Sequence, residues 1–282
     1  MTTSRRFAKY LSDQGLAKST IYVYIGYLKA AIRTVGTGSL TGYLDGDIAA
    51  TTRASAYTAI KHWAEFTSDE DLLAELNHPT LRKSLKGRGK RASKVTRPMT
   101  GDELDAFLKT LERTKGRSPE WVWPCVTILL RLGLRARVDL CRLRRAEITE
   151  GLRSGRLQLE TKGGRMRAVP ISPAKEAFSE LLRTGKWETV AEAIVGIDDP
   201  KRAYEEIYKA VKGLAKAAGI DHKEVHPHRL RHTAAHRLWE KTKDILKVRD
   251  FLGHAHVATT ERYLRGDRTD EIGADLEDMY DR

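Results

Sequence analysis

The chain has 282 residues, 40% of them apolar, and carries 51 Lys/Arg against 38 Asp/Glu, for a formal charge of +13 and a pI near 9.7. Its apolar content suffices for one large core or two ordinary ones; no apolar run approaches the roughly 20 residues of a membrane helix, and the charged start at Met1 to Arg6 has no h-region after it. A soluble globular protein with a polyanionic partner is expected, and Cys125 and Cys141, set in apolar helical patterns without a C-x-x-C spacing, are expected in a core rather than in a disulfide or zinc site.

In chain order, Phe7, Tyr10 and Leu11, then Ile21, Tyr24, Ile25, Leu28 and Ile32, then Ala56, Ile60, Trp63 and Ala64 recur at helical spacing. Ser19 or Thr20 is placed to cap the second of these helices, and Tyr22, Tyr24 and Tyr27 are expected as core or rim residues. Four or five short helices over residues 1–81 make a small all-α domain. Residues 82–97 follow as a basic linker broken by Gly87 and Gly89. It carries Arg82, Lys83, Lys86, Arg88, Lys90, Arg91, Lys94 and Arg97, with no acid between Asn77 and Arg97. Charge without offset favours contact with phosphates over a merely solvated connector.

A second domain, 98–282, opens at Thr100-Gly-Asp-Glu103, a capping-box pattern leading into Leu104, Phe107, Leu108 and Leu111. A further helix through Val126, Leu129 and Leu132 reaches Gly133, where a turn separates it from the pattern resumed at Leu140, Leu143 and Ile148. Residues 157–161 alternate as a half-buried strand, Gly163-Gly164 supplies a two-residue turn, and 166–171 return as a second strand, which puts Lys162 at a hairpin tip. Ser172-Pro173 is expected to cap and start the next helix, and most of the remainder has helical periodicity. After Tyr263 the composition turns acidic, and Ile272, Leu276 and Tyr280 recur every four residues, which predicts a tail helix from about residue 270 with one apolar face.

Four segments carry groups suited to a phosphate: Gly133-Leu-Arg135, Thr161-Lys162-Gly-Gly, His226-Pro-His228-Arg-Leu-Arg231-His232, and Leu252-Gly-His254 followed by Tyr263. Attack on a phosphodiester pushes charge onto its non-bridging oxygens, and a guanidinium offsets that charge with a planar fork of donors that stays protonated. His228 precedes Arg231 by three residues, so on a helix the two share a face. His228, His232 and His236, spaced by four, allow a rival reading as metal ligands, but no Glu sits between them as in the metalloprotease pattern.

In this order and at these separations the four segments resemble the active-site set of the tyrosine recombinases, the phage integrase family. The resemblance covers most of the chain. It implies a mainly α fold with a small antiparallel β-sheet: a helical (SAM-like) core-binding domain over 1–81 and an α+β catalytic domain over 98–282, gripping duplex DNA as a clamp. It implies that Tyr263 attacks the phosphate to give a 3′-phosphotyrosine, and that Arg135, Arg231 and His254 bind the phosphate. Lys162 then protonates the departing 5′ oxygen, and His228 either accepts the phenol proton or hydrogen-bonds the phosphate. Because the covalent link keeps the bond energy, neither metal, ATP nor any other cofactor is expected. In the family an acid three positions after the first arginine fixes it; here that position is Val138 and the acid is Asp139, which implies one extra residue after Arg135 and leaves Arg137 as the alternative.

The resemblance also implies double-stranded DNA as partner, accessory DNA-bending proteins, and a tetramer on two DNA sites linked through the tail, which could otherwise fold back on its own domain; with no apolar span and no h-region, a cytoplasmic, nucleoid-associated location is expected. A type IB topoisomerase-like enzyme and a DNA-binding regulator that has lost catalysis are the competing readings.

Overall fold

The computed structural model describes residues 3–36, 38–82, 97–160 and 166–264, the side chains at 50–51 and 262–264 excepted. The chain divides into two compact units, Met1–Lys94 and Val95–Arg282.

The first unit is helical throughout its described elements: α1 (Thr3–Asp13), α2 (Lys18–Val35), α3 (Gly42–Asp45), α4 (Ala50–Thr67) and α5 (Glu70–Asn77). Phe7 and Leu11 of α1 pack with Ile21 and Leu28 of α2, and the Phe7 ring meets Trp63 of α4 edge-on at 5.1 Å. A second cluster joins Ala31, Leu44, Ala56, Ile60, Ala64, Leu72 and Leu76. Arg53, buried in α4, donates from Nε to the Leu44 carbonyl at 2.7 Å and from Nη2 to that of Gly46 at 2.8 Å, satisfying backbone acceptors at the end of α3. Two expectations need correction. Helix α2 starts at Lys18 behind Ala17 with no side-chain cap, so Ser19 and Thr20 lie inside its first turn. Tyr22 is 81% exposed and Ile32 is exposed too, because the buried stripe runs through Ile21, Leu28 and Ala31.

The second unit carries α6 (Gly101–Glu112), α7 (Val122–Leu132), α8 (Arg145–Ser154), β1 (Arg156–Glu160), β2 (Met166–Pro170), α9 (Lys175–Arg183), α10 (Val190–Val195), α11 (Pro200–Ala217), α12 (Pro227–Thr242), α13 (Ile245–Leu252) and α14 (Val257–Leu264). Helix α7 is buried almost all round, with only Arg131 exposed, as befits a helix with no polar face at the centre of a core. α6, α9, α11 and α12 pack around it. Thr100 caps α6 in a complete capping box with Glu103. Ser172 and Pro173 belong to a short 3-10 turn, Ser172–Ala174, and α9 begins only at Lys175, a correction to the expected start. Both cysteines are buried, and burial pushes the Cys141 thiol up to about 12, so neither is a thiolate at neutral pH.

The two strands form an antiparallel hairpin in which Arg156 faces Pro170, Leu159 faces Arg167 and Glu160 faces Met166. Leu157, Leu159 and Val169 are buried, and Arg167 shares their face. The joining residues 161–165, with Lys162 and the turn expected at Gly163-Gly164, lie outside the described residues, as does the tail beyond Leu264. Among the described residues no helix is long and apolar enough to cross a membrane.

Candidate active site

Two chain reversals and one helix build the site. The first reversal ends α7 at Gly133, whose φ of 56° is left-handed; a Cβ there would lie 2.7 Å from the Phe251 ring, so glycine alone permits both the turn and the contact. Two residues on, Arg135 is held by Asp139. One carboxylate oxygen accepts the Arg135 backbone N–H at 2.9 Å, and the other accepts from Nη2 at 2.6 Å and Nε at 3.0 Å. The Asp139 side chain is 1% exposed and that of Arg135 34%, so the acid is internal while the guanidinium it orients reaches the surface. Arg137 is exposed, and its charge acts on Cys141 and Tyr204.

The second reversal ends α13 at Gly253, with φ of 66°, and His254 follows. Helix α12 supplies the remaining groups. Pro227 at its first turn sets the start, and His228 and Arg231 follow one turn apart. Arg231 is 2% exposed; its Nη1 donates to the Gly133 carbonyl and its Nη2 to that of Leu252, so it spans both reversals.

These groups share one electrostatic neighbourhood. Burial first, then the charges of Arg231, Arg167, Arg135 and His228, lowers the pKa of His254 to about 4. Its Nδ1 lies 3.0 Å from the hydroxyl of Thr260, a fully buried residue of α14. His228 reaches the surface, yet the protein around it, then Arg231 and the nearby ring of His226, holds its pKa below the ordinary value. Both imidazoles are therefore neutral at pH 7 beside several guanidiniums. The arrangement is a cationic cluster with neutral donors and acceptors, suited to an anion bearing several oxygens. Tyr263 lies on α14, one turn beyond Thr260.

Of the residues singled out by sequence, the structure thus brings Arg135, His228, Arg231 and His254 together and puts Tyr263 on the adjoining helix. Lys162 lies outside the described residues, as do Lys83, Lys86, Arg88, Lys90, Arg91 and Lys94 of the linker. Arg82 donates to Asn77 at 3.1 Å, and Arg97 is engaged bidentately by Glu103 at 2.7 and 2.8 Å. His232 is buried and His236 pairs with Glu240 at 3.3 Å. Among the described residues no group of three or more His, Cys, Asp or Glu side chains is placed to hold a metal ion. Sequence reasoning missed Arg167. Its signal was available: with Val169 and Ile171 facing inward, strand alternation turns Arg167 inward as well, and an inward arginine is the informative exception.

A helical unit followed by a mainly helical unit with one hairpin, joined to a cluster of arginines and histidines beside a tyrosine-bearing helix, defines the class of DNA strand-transfer enzymes that work through a tyrosine. The model of the phage integrase family matches residues 97–269, more than half of the chain, and the chain belongs to that family. It is 31% identical over 155 residues to tyrosine recombinase XerC of Chromohalobacter salexigens, a match covering 50% of this chain and 48% of that one. It is 25% identical over 274 residues to tyrosine recombinase XerA of Pyrococcus horikoshii, covering 92% and 87%. Among solved structures, the Tn1549 transposon integrase in complex with transposon right end DNA superposes with a TM-score of 0.67 at 17% identity, covering 98% of this chain and 99% of that one. A lambda integrase dimer bound to a COC′ core site gives 0.63 at 23%, covering 94% of each.

Proposed function

We propose that this chain is a site-specific recombinase that cleaves and rejoins DNA strands through a 3′-phosphotyrosine at Tyr263, without metal or ATP. The observation that carries this reading is the convergence of Arg135, His228, Arg231 and His254 on one spot, with His254 tied through Thr260 to the helix that bears Tyr263. Arg135 and Arg231 offset the charge that develops on the non-bridging oxygens. His254, neutral before DNA arrives, donates a hydrogen bond to one of them. The phenol oxygen of Tyr263 attacks phosphorus and its proton passes to His228, whose lowered pKa favours the neutral imidazole that can act as base. The bond from phosphorus to the 5′ oxygen breaks, and Lys162 protonates that oxygen. A 5′ hydroxyl then attacks the phosphotyrosine and restores the phosphodiester and the phenol, so no energy source is consumed.

Double-stranded DNA is the partner, in keeping with the DNA-bound relatives of the same fold. The helical unit 1–81 and the linker 82–97, with Arg82, Lys83, Lys86, Arg88, Lys90, Arg91, Lys94 and Arg97, contribute phosphate contacts, and the tail from about residue 270 links four protomers on two sites with accessory DNA-bending proteins. The test is a duplex recovered by binding from a random pool, nicked as a suicide substrate, and analysed for a covalent protein–DNA adduct. Wild type should form it and Tyr263→Phe should not; an adduct that survives the substitution refutes the assignment. Relaxation of supercoiled plasmid without pairing of two sites would favour the topoisomerase-like alternative. Deletion of 270–282 should weaken cooperative assembly on DNA more than binding of one protomer.

A further inference from the structure

Arg167 is a charged side chain on the inward face of a strand, opposite Leu159 and two residues from buried Val169. Only 10% of its side chain is exposed. Its two arms run to different parts of the site. Nη2 reaches Asp139 at 3.4 Å, and Asp139 is the acid that holds Arg135. Nη1 donates to the carbonyl of Phe251, in the last turn of α13, where carbonyls lack helical partners and carry partial negative charge. The next carbonyl, that of Leu252, goes to Arg231. The stem of Arg167 crosses Gly253 so closely that a Cβ there would lie 2.8 Å from its Cδ and 3.0 Å from its Nε. His254 follows directly.

We propose that Arg167 is a positioning residue for strand transfer, a two-armed strut that fixes Arg135, through Asp139, relative to the reversal that presents His254. The proposal rests on the recombinase reading for its consequence and on the strut's geometry for its existence. A cation kept only for folding is a poor choice here. Burial disfavours its charge and Arg135 repels it, whereas an apolar side chain would suit the face shared with Leu159 and Val169. Two requirements explain a guanidinium. Asp139 is an internal carboxylate that answers to two cations, and the Phe251 carbonyl needs a donor at the same time. A planar fork sends a separate arm to each at once, whereas a lysine would have to serve both from one small ammonium. Both arms being engaged inside the protein, Arg167 acts on the phosphate through Asp139 and Arg135 rather than by touching it.

The experiment uses the full chain with Arg167→Met and Arg167→Lys, each read in two ways. Without DNA, nitrogen NMR follows hydrogen exchange and hindered rotation at Arg135 Nε. Wild type should be protected by Asp139, and both variants should lose that protection. Retention of wild-type protection in Arg167→Lys overturns the strut, since charge alone would then suffice. With the suicide duplex, both variants should bind DNA within twofold of wild type yet form adduct at least tenfold more slowly. Arg167→Lys combined with Asp139→Asn should lose no more than the worse single variant, because both interrupt one linkage. An adduct rate restored by lysine, or independent losses that multiply, overturns the proposal. Should wild type form no adduct, the recombinase reading fails while the Arg135 exchange measurement still decides the strut. If Arg167→Met does not fold, the lysine variant carries both measurements.

Discussion

Asp139 grips Arg135 at both ends: one oxygen takes the arginine's backbone N–H at 2.9 Å and the other takes its Nη2 at 2.6 Å. A side chain with many rotamers is thereby held in one, which lowers the ordering cost of binding a phosphate. Asp139→Ala should leave Arg135 and Arg167 facing each other without an anion and destabilise the fold by about 3 kcal/mol, the lower end for a broken internal pair because Arg135 is partly exposed. Urea denaturation measures this. Arg137→Ala, remote from the cluster, should change adduct yield less than twofold, whereas Arg135→Ala should abolish it. The reverse outcome would transfer the first arginine's role to Arg137.

Why Arg135 was legible and Arg167 was not follows from how each is specified. The glycine before Arg135, the acid four residues after it and the apolar helix leading in are local, so their meaning survives in sequence. Even so, that Asp139, one residue beyond Val138, takes hold of Arg135 is visible only in the turn whose Asp139 and Leu140 N–H groups both reach the Arg135 carbonyl. Arg167 owes its position to Asp139 and Phe251, 28 and 84 residues away, and it is one of 51 basic residues. The capping box at Thr100 and the two strands of the hairpin were readable for the same local reason, whereas the register, with Glu160 facing Met166, is one residue away from what a two-residue turn at Gly163-Gly164 would set. The start of α2 was not readable either, because packing of Ile21 and Leu28, rather than a hydroxyl cap, sets it.

His254 gives the site an acid limb. Its folded pKa, near 4, lies below the unfolded value near 6.5, so between those values the unfolded chain binds more protons and stability rises with pH. The contribution is complete above pH 6.5 and is lost as pH falls through about 4. His228 and His226 act in the same direction. His254→Gln should flatten that limb in denaturation curves taken across the window. Binding of duplex DNA places anionic oxygens beside the ring and should raise its pKa, so that at pH 5 binding takes up protons. Calorimetry in buffers of different ionisation enthalpy detects the uptake.

Gly133 joins two demands that no other residue meets. Its left-handed backbone disfavours any Cβ by roughly 1–2 kcal/mol, and a Cβ would also press into the Phe251 ring at 2.7 Å. Since the Gly133 carbonyl receives Arg231, displacement there disturbs the arginine as well. Gly133→Ala should therefore destabilise by about 2 kcal/mol or more and slow adduct formation further than the stability loss explains, measured at a temperature where the variant remains folded. A variant that is destabilised but cleaves at the wild-type rate would show that Arg231 does not depend on this turn.

Arg229, between His228 and Arg231, is fully buried, and its partners lie outside the cluster of Arg135, Arg231 and His254. It donates to the Arg97 carbonyl at 3.1 Å and to the Glu103 carboxylate at 2.8 Å, while Thr233, one turn on, accepts the Met99 N–H at 2.9 Å. The first described residues of the second unit are thus bolted to the helix that carries His228 and Arg231. The Arg97 guanidinium, then the Thr100 N–H and Arg229, keeps the Glu103 carboxyl below its ordinary pKa, so its contribution is present above the usual carboxylate range and fades as pH falls through the lowered value. Arg229→Met fills the space without the charge and should destabilise by about 3 kcal/mol at neutral pH. Glu103→Gln should destabilise less, because Arg229 keeps its carbonyl partner. If the pair acts as a unit, the double variant should fall short of the sum of the single losses by at least about 0.5 kcal/mol. Strict additivity would mean that each residue supports the linker junction independently, and that α12 is set by packing against α7 alone.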